Sequence, residues 1–234
     1  MAASTPTGTA LIIGASRGLG LALAETYLAR GWHVIGTVRR AAGTGLHALA
    51  ATAGGRLEIE PADINEPAQM EALRATLAGR VIDLLFVNAG ISNGAAETIA
   101  TVSTESFTRT LVTNALSPMR AVEAFESLVP QSGTIAVMSS GLGSVADNTG
   151  GGWEVYRASK AALNTLMRSF AARHAGDARS MAIIAPGWVR TDMGGPGASL
   201  AIEESIPRVV DVLTAHVGKP GLRYLDYRGQ TVAW

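Results

Sequence analysis

The sequence predicts an α/β fold, a doubly wound parallel sheet with helices on both faces. Three observations carry that expectation. Short apolar runs alternate along the chain with longer stretches whose apolar residues fall at helical spacing. Most of the short runs are unbroken rather than alternately polar, which marks strands buried on both faces and therefore parallel ones. A glycine-rich turn joins the first run to the first helical stretch.

In order, residues 10–13 (Ala-Leu-Ile-Ile) form the first strand, and 19–30 a helix stopped by Gly31, a residue that accepts the left-handed backbone of a helix end. Residues 33–38 are a second strand and 44–53 a second helix. Residues 57–60 are a third strand, followed by a helix over 67–77 that starts at Asn65-Glu66-Pro67. Leu84 to Val87 gives a fourth strand. Thr104 opens a long helix toward Leu128, with Pro118 as an internal kink. Residues 134–138 are a fifth strand, 154–174 a long helix, 181–184 a sixth strand and 203–216 a last helix whose first turn carries Glu203 and Glu204. Residues 231–234 read as a closing strand. No linker, charge block or repeat interrupts the pattern, so residues 1–234 are expected to form one domain.

Composition narrows the function. Nineteen basic residues balance nineteen acidic ones, which argues against a nucleic-acid or membrane-surface protein working by bulk charge. With no cysteine, disulfides and thiolate metal sites are excluded. The histidines, 33, 47, 174 and 216, show no ligand spacing, so no metal is expected. The amino-terminal residues lack a basic stretch and a long apolar run, and no segment reaches the roughly 18 apolar residues of a span. A soluble cytoplasmic protein is the expectation.

In a doubly wound sheet, ligands sit beyond the carboxyl ends of the strands. Gly14-Ala15-Ser16-Arg17-Gly18-Leu19-Gly20 follows the first strand. Glycines there let a pyrophosphate approach bare backbone at a helix amino terminus. A tight turn without a ligand uses the same residues, but the place after the first strand favours cofactor binding. The turn lacks the Gly-Lys-Ser/Thr of a nucleotide-triphosphate loop. Asp63 and Asn88-Ala89-Gly90 follow the third and fourth strands, either as adenosine contacts or as an ordinary cap and turn.

Tyr156 and Lys160, four apart, share a helix face. An ammonium about 4 Å from a phenol favours the phenolate, so Lys160 is expected to pull Tyr156 below its ordinary value near 10. Ser139-Ser140 ends the preceding strand and brings a hydroxyl to the same place. Asn114, a poor helix former inside a helix, is either a buried amide satisfied by backbone or the holder of a water near Lys160.

Taken together, Gly14-x-x-x-Gly18-x-Gly20, Asp63, Asn88-Ala89-Gly90, Asn114, Ser140, Tyr156-x-x-x-Lys160 and Pro186-Gly187-x-x-x-Thr191 resemble the short-chain dehydrogenase/reductase family. Residues 156–164 and the short length are similar to its C-factor-like branch, related to sniffer-type carbonyl reductases. The resemblance implies a single Rossmann domain of about seven strands and a nicotinamide oxidoreductase. Tyr156 would be the general acid or base, Lys160 its activator and a ribose contact, Ser140 a donor to the substrate oxygen, and Asn114 the holder of a water. Gly14, Ser16, Arg17, Gly18, Leu19, Gly20, Asp63, Ile64, Asn88, Ala89 and Gly90 would line the cofactor, with Pro186, Gly187, Val189 and Thr191 at the nicotinamide. Residues 147–153 lengthen the path from Ser140 to Tyr156, so Ser139 or Ser144 could take the serine's part; Ser140 is favoured because it directly follows the strand.

The second strand ends in Arg39-Arg40 with no acid to hold ribose hydroxyls. Arg17, Arg39 and, more weakly, Arg40 suit a 2′-phosphate, which predicts NADP(H). Residues 192–202, rich in glycine, are the expected substrate lid. Trp153, Trp188 and Met193 are either an apolar pocket wall or plain packing. By analogy the helices over 104–128 and 154–174 make a homodimer or homotetramer. The function expected is reduction of a small carbonyl compound or oxidation of an alcohol; the alternative is a cofactor-binding signalling or regulatory protein with little turnover.

Overall fold

The computed structural model describes residues 8–39, 42–93 and 97–234. Arg40, the weakest of the three arginine candidates, lies outside them. Seven strands form one sheet: β1 Thr9–Ile13, β2 His33–Val38, β3 Leu57–Pro61, β4 Leu84–Val87, β5 Thr134–Met138, β6 Ser180–Ala185 and β7 Gly221–Asp226. Their order is β3-β2-β1-β4-β5-β6-β7, and every neighbouring pair is parallel.

Successive strand residues enter different cores, which is why the runs are apolar without alternation. Leu11 and Ile13 pack with helices α3 (Pro67–Thr76), α5 (Ser117–Phe125) and α6 (Glu154–Arg173). Ala10 and Ile12 pack on the opposite face with α1 (Gly18–Ala29), α2 (Gly45–Ala50) and α7 (Ile202–His216). Chain order reverses at β1, whose neighbours are β2 and β4, and a crevice opens beyond their carboxyl ends.

Two expectations need correction. The final strand is not at residues 231–234. It is β7, and Thr231 makes only an isolated antiparallel bridge back to Leu225. The edge position explains the miss: Arg223 and Asp226 interrupt the apolar run, and both are partly exposed. The helix after β4 is also not continuous. It begins as α4 (Thr104–Leu111), capped by Ser103 Oγ accepting from Ser106 N at 3.0 Å, then widens into a π turn over Val112–Leu116 before α5. Pro118 has no N–H to offer the Asn114 carbonyl four residues earlier, so the ladder is rearranged just ahead of it.

Candidate active site

The turn after β1 is held by its neighbours. Gly14 N donates to Thr37 Oγ1 and Ala15 N to Thr37 O, both at 2.9 Å, so the turn hangs on the end of β2. Asn88 Nδ2 donates to Gly14 O at 2.8 Å, which ties it to the end of β4. Gly20 lies in that contact: a Cβ there would meet Gly14 O at 2.1 Å and Asn88 Nδ2 at 2.6 Å. Gly18, at φ 56°, faces open space. No side chain caps α1 and no acid sits in its first turn, so the helix start offers unneutralised N–H groups to the cleft. Bare backbone, free donors and open space together fit a diphosphate.

The cleft holds about 1350 Å³. It brings together every predicted site residue among those described except Gly20 and Asn114, which lie just behind it and are buried. Asp63 Oδ1 accepts from Asn65 N at 2.9 Å, a local turn rather than the cap of α3. Arg39 is exposed at the rim. Arg17 is ion-paired with Asp192 in the expected lid segment, a link that the separation in sequence conceals. Trp188, 58% exposed, donates Nε1 to Gly194 O at 2.9 Å, and Gly194 N donates to Thr191 Oγ1 at 3.0 Å.

Deeper in, Lys160 is buried on α6 and donates Nζ to the Met138 carbonyl at the end of β5, at 2.9 Å. A Cβ on Gly90 would stand 3.4 Å from that ammonium, so the glycine leaves room beside it. Tyr156 reaches the cleft with Ser140 beside its phenol. Ser140 is therefore the serine beside the tyrosine. Ser139 Oγ is spent on Asn164 Oδ1 at 2.7 Å, and Ser144 Oγ accepts from Asp147 N at 3.0 Å.

The expected electrostatics are not those of this geometry. Burial pushes the Tyr156 phenol up to about 12, with neighbouring Ser140 opposing it, and pulls the Lys160 ammonium down to about 8. The ammonium stands 5.8 Å from the centre of the tyrosine ring and is given to a carbonyl, so burial outweighs any pull it has on the phenol. Asn114, fully buried in the π turn, takes Ile91 N on Oδ1 and gives Nδ2 to Ile91 O and Ser159 Oγ. Its side chain is thus a clamp, while Pro118 leaves its carbonyl without the usual partner. Trp153 starts α6 with φ 53°, and its ring meets Tyr156 edge-on, centroids 6.1 Å apart.

The short chain dehydrogenase family model matches residues 8–199. The chain belongs to that family. It is 58% identical to a Burkholderia multivorans short-chain dehydrogenase/reductase structure with bound NADP, which it matches at TM-score 0.95 over 98% of this chain and 100% of the other. A Pseudomonas aeruginosa carbonyl reductase in complex with NADP is 37% identical, at TM-score 0.89 over 97% and 100%. The Myxococcus xanthus protein C-signal is 35% identical over 167 residues, 70% of this chain and 100% of that one.

Sequence reading missed Thr37, Asn164 and Tyr224. Thr37 is the penultimate residue of β2; Asn164 lies within the 156–164 stretch without a role read for it, and Tyr224 carries no motif, so both become relevant only through contacts. Among the described residues, no group of three or more metal-ligating side chains comes together, and no helix is long and apolar enough to cross a membrane.

The two glycines of the turn make different demands. Gly18→Ala is predicted to fold with a loss of about 1–2 kcal/mol, the cost of a left-handed residue. Gly20→Ala, which must push the helix off the strand, should lose about 3 kcal/mol or more. Denaturant unfolding compares them, and equal losses would contradict the close contact at Gly20.

Proposed function

We propose that this chain is an NADP(H)-dependent oxidoreductase that interconverts a small carbonyl compound and its alcohol, with Tyr156 as general acid and base. The observation that carries the reading is the meeting of Tyr156, Ser140 and buried Lys160 in one cleft, which also receives the bare start of α1. The NADP-bound relatives support the cofactor. Gly14, Ser16, Gly18 and Leu19 would hold its diphosphate, Asp63, Ile64, Asn88, Ala89 and Gly90 its adenosine side, and Arg17 and Arg39 its 2′-phosphate. Lys160, Pro186, Gly187, Val189 and Thr191 would hold the nicotinamide end. When bound, that group supplies or takes up the hydride.

The protein's own part is the proton. In reduction, Tyr156 gives its phenolic proton to the carbonyl oxygen while the Ser140 hydroxyl donates to the same atom as negative charge grows on it. Lys160 supplies positive charge near the phenolate left behind. In oxidation the phenolate takes the proton from the alcohol. Trp153, Trp188 and Met193 wall the cleft with apolar surface, which favours an uncharged substrate, and residues 192–202 close over it as a lid. A cytoplasmic homodimer or homotetramer joined through the helical segments over 104–128 and 154–174 completes the reading.

The likeness to C-signal favours a second reading, a signalling or regulatory protein that binds the cofactor with little turnover. Tight NADPH binding without turnover, and signalling that survives in Tyr156→Phe, would favour it.

Three outcomes are predicted. NADPH consumption, followed by absorbance over a panel of ketones, aldehydes and quinones, should fall by about 10²–10⁴ in kcat in Tyr156→Phe with cofactor affinity kept; undiminished turnover would overturn the role of Tyr156. Arg17→Ala and Arg39→Ala should each weaken NADPH about tenfold or more while leaving NADH alone, and fluorescence titration showing equal losses for both cofactors would sink the 2′-phosphate assignment. The pH profile follows from burial: Tyr156 stays protonated up to about 12, whereas Lys160 loses its charge above about 8. The kcat/KM for reduction should therefore be flat below that point and fall as pH rises through it. A profile that stays flat well beyond would remove Lys160 from the mechanism.

A further inference from the structure

The edge strand β7 and the chain beyond it reach the catalytic serine from behind. Tyr224, 1% exposed, lies on β7 opposite Ile183 and donates its phenolic proton to the Ser140 carbonyl. Ser139 and Asn164 lie beside its hydroxyl, Ser139 Oγ donating to Asn164 Oδ1 at 2.7 Å and Asn164 Nδ2 to Gly143 O at 3.2 Å. Burial raises the Tyr224 phenol, which keeps it a donor. After β7 the chain turns, Asp226 N donating to Gln230 O at 2.9 Å, and runs back so that Val232 N meets Tyr224 O at 2.9 Å. Trp234 then packs on Tyr224, ring centres 5.6 Å apart, with the Arg168 guanidinium 4.7 Å over the indole. Its carbonyl accepts from Ala146 N at 2.9 Å, inside the lengthened loop between Ser140 and Tyr156.

We propose that Tyr224 is a positioning residue for the Ser140–Tyr156 pair, and that Trp234 braces it while tying down the loop between the two. The inference rests on the proton-transfer reading of that pair. The Ser140 carbonyl is held by Tyr224 OH and by Gly143 N at 2.9 Å, and the Ser140 hydroxyl accepts from Leu142 N at 3.1 Å. Fixing this short turn fixes the direction in which the hydroxyl meets Tyr156. Tyr224 touches the peptide of Ser140 and acts through it. A lengthened loop between two reacting side chains would ordinarily loosen them, and here residues 224–234 take up that slack.

The test uses Tyr224→Phe, which removes one oxygen, with Trp234→Ala and its milder partner Trp234→Phe. Hydrogen exchange at the Gly143 and Ala146 amides should quicken about tenfold or more in Tyr224→Phe and Trp234→Ala, with β1 amides unchanged and Trp234→Phe close to wild type. In turnover, Tyr224→Phe should lower kcat about tenfold with KM little changed, and should add nothing when Ser140 is already alanine. Unchanged exchange at both amides overturns the brace. Faster exchange with an unchanged kcat overturns the positioning role, provided Tyr156→Phe is inactive. If Tyr156→Phe stays active, the proton-transfer reading fails instead, and exchange alone decides whether the brace exists.

Discussion

Asn88 joins the ends of β1 and β4 through one side-chain hydrogen bond to Gly14 O, and the shape of the cleft follows from that bond. It fixes the point where the two halves of the sheet diverge, so α1 can start only where Gly20 lets it settle against the same carbonyl. With α1 so placed, its free N–H groups open into the cleft and not into solvent at large. The helix end and the end of β4 thus face a common space. Thr37 adds the third support from β2. The phosphate-binding half of the site is therefore a product of strand ends packed against each other.

The chemical half depends on a less comfortable arrangement. Lys160 is buried with a carbonyl for its partner and no carboxylate at hand, so the interior opposes its charge. The phenol of Tyr156 is opposed in the same sense, since burial disfavours its anion. A lysine that must be charged and a tyrosine that must ionise are both held where ionisation is costly. Anything that brings polarity or charge into the cleft acts on both groups at once. The clamp from Asn114 to the Ile91 backbone keeps the wall beside them rigid while this happens.

Much of the fold was legible because five of the seven strands are apolar runs buried on both faces, while β3, at one edge, still alternates Leu57 and Ile59 with Glu58 and Glu60. β7 was not, because an edge strand needs only one neighbour and can carry Arg223 and Asp226. In the site, residues at strand ends were found because position alone marks them. Ser140 could be separated from Ser139 and Ser144 only by seeing where each hydroxyl is spent. The tyrosine's electrostatics were misread for a related reason: spacing along a helix shows that two groups are neighbours, but not that both have lost their water. The ion pair between Arg17 and Asp192 is equally invisible in sequence, since it depends on how the chain returns after β6.

Trp153 opens α6 in a left-handed conformation that glycine adopts freely and that costs other residues about 1–2 kcal/mol. A glycine there would relieve the backbone, at a cost in chain entropy. It would also take away the ring set edge-on against Tyr156. Backbone ease and the shape of the site pull in opposite directions at this one residue, so the strained turn is a fixed cost of keeping an aromatic wall beside the phenol.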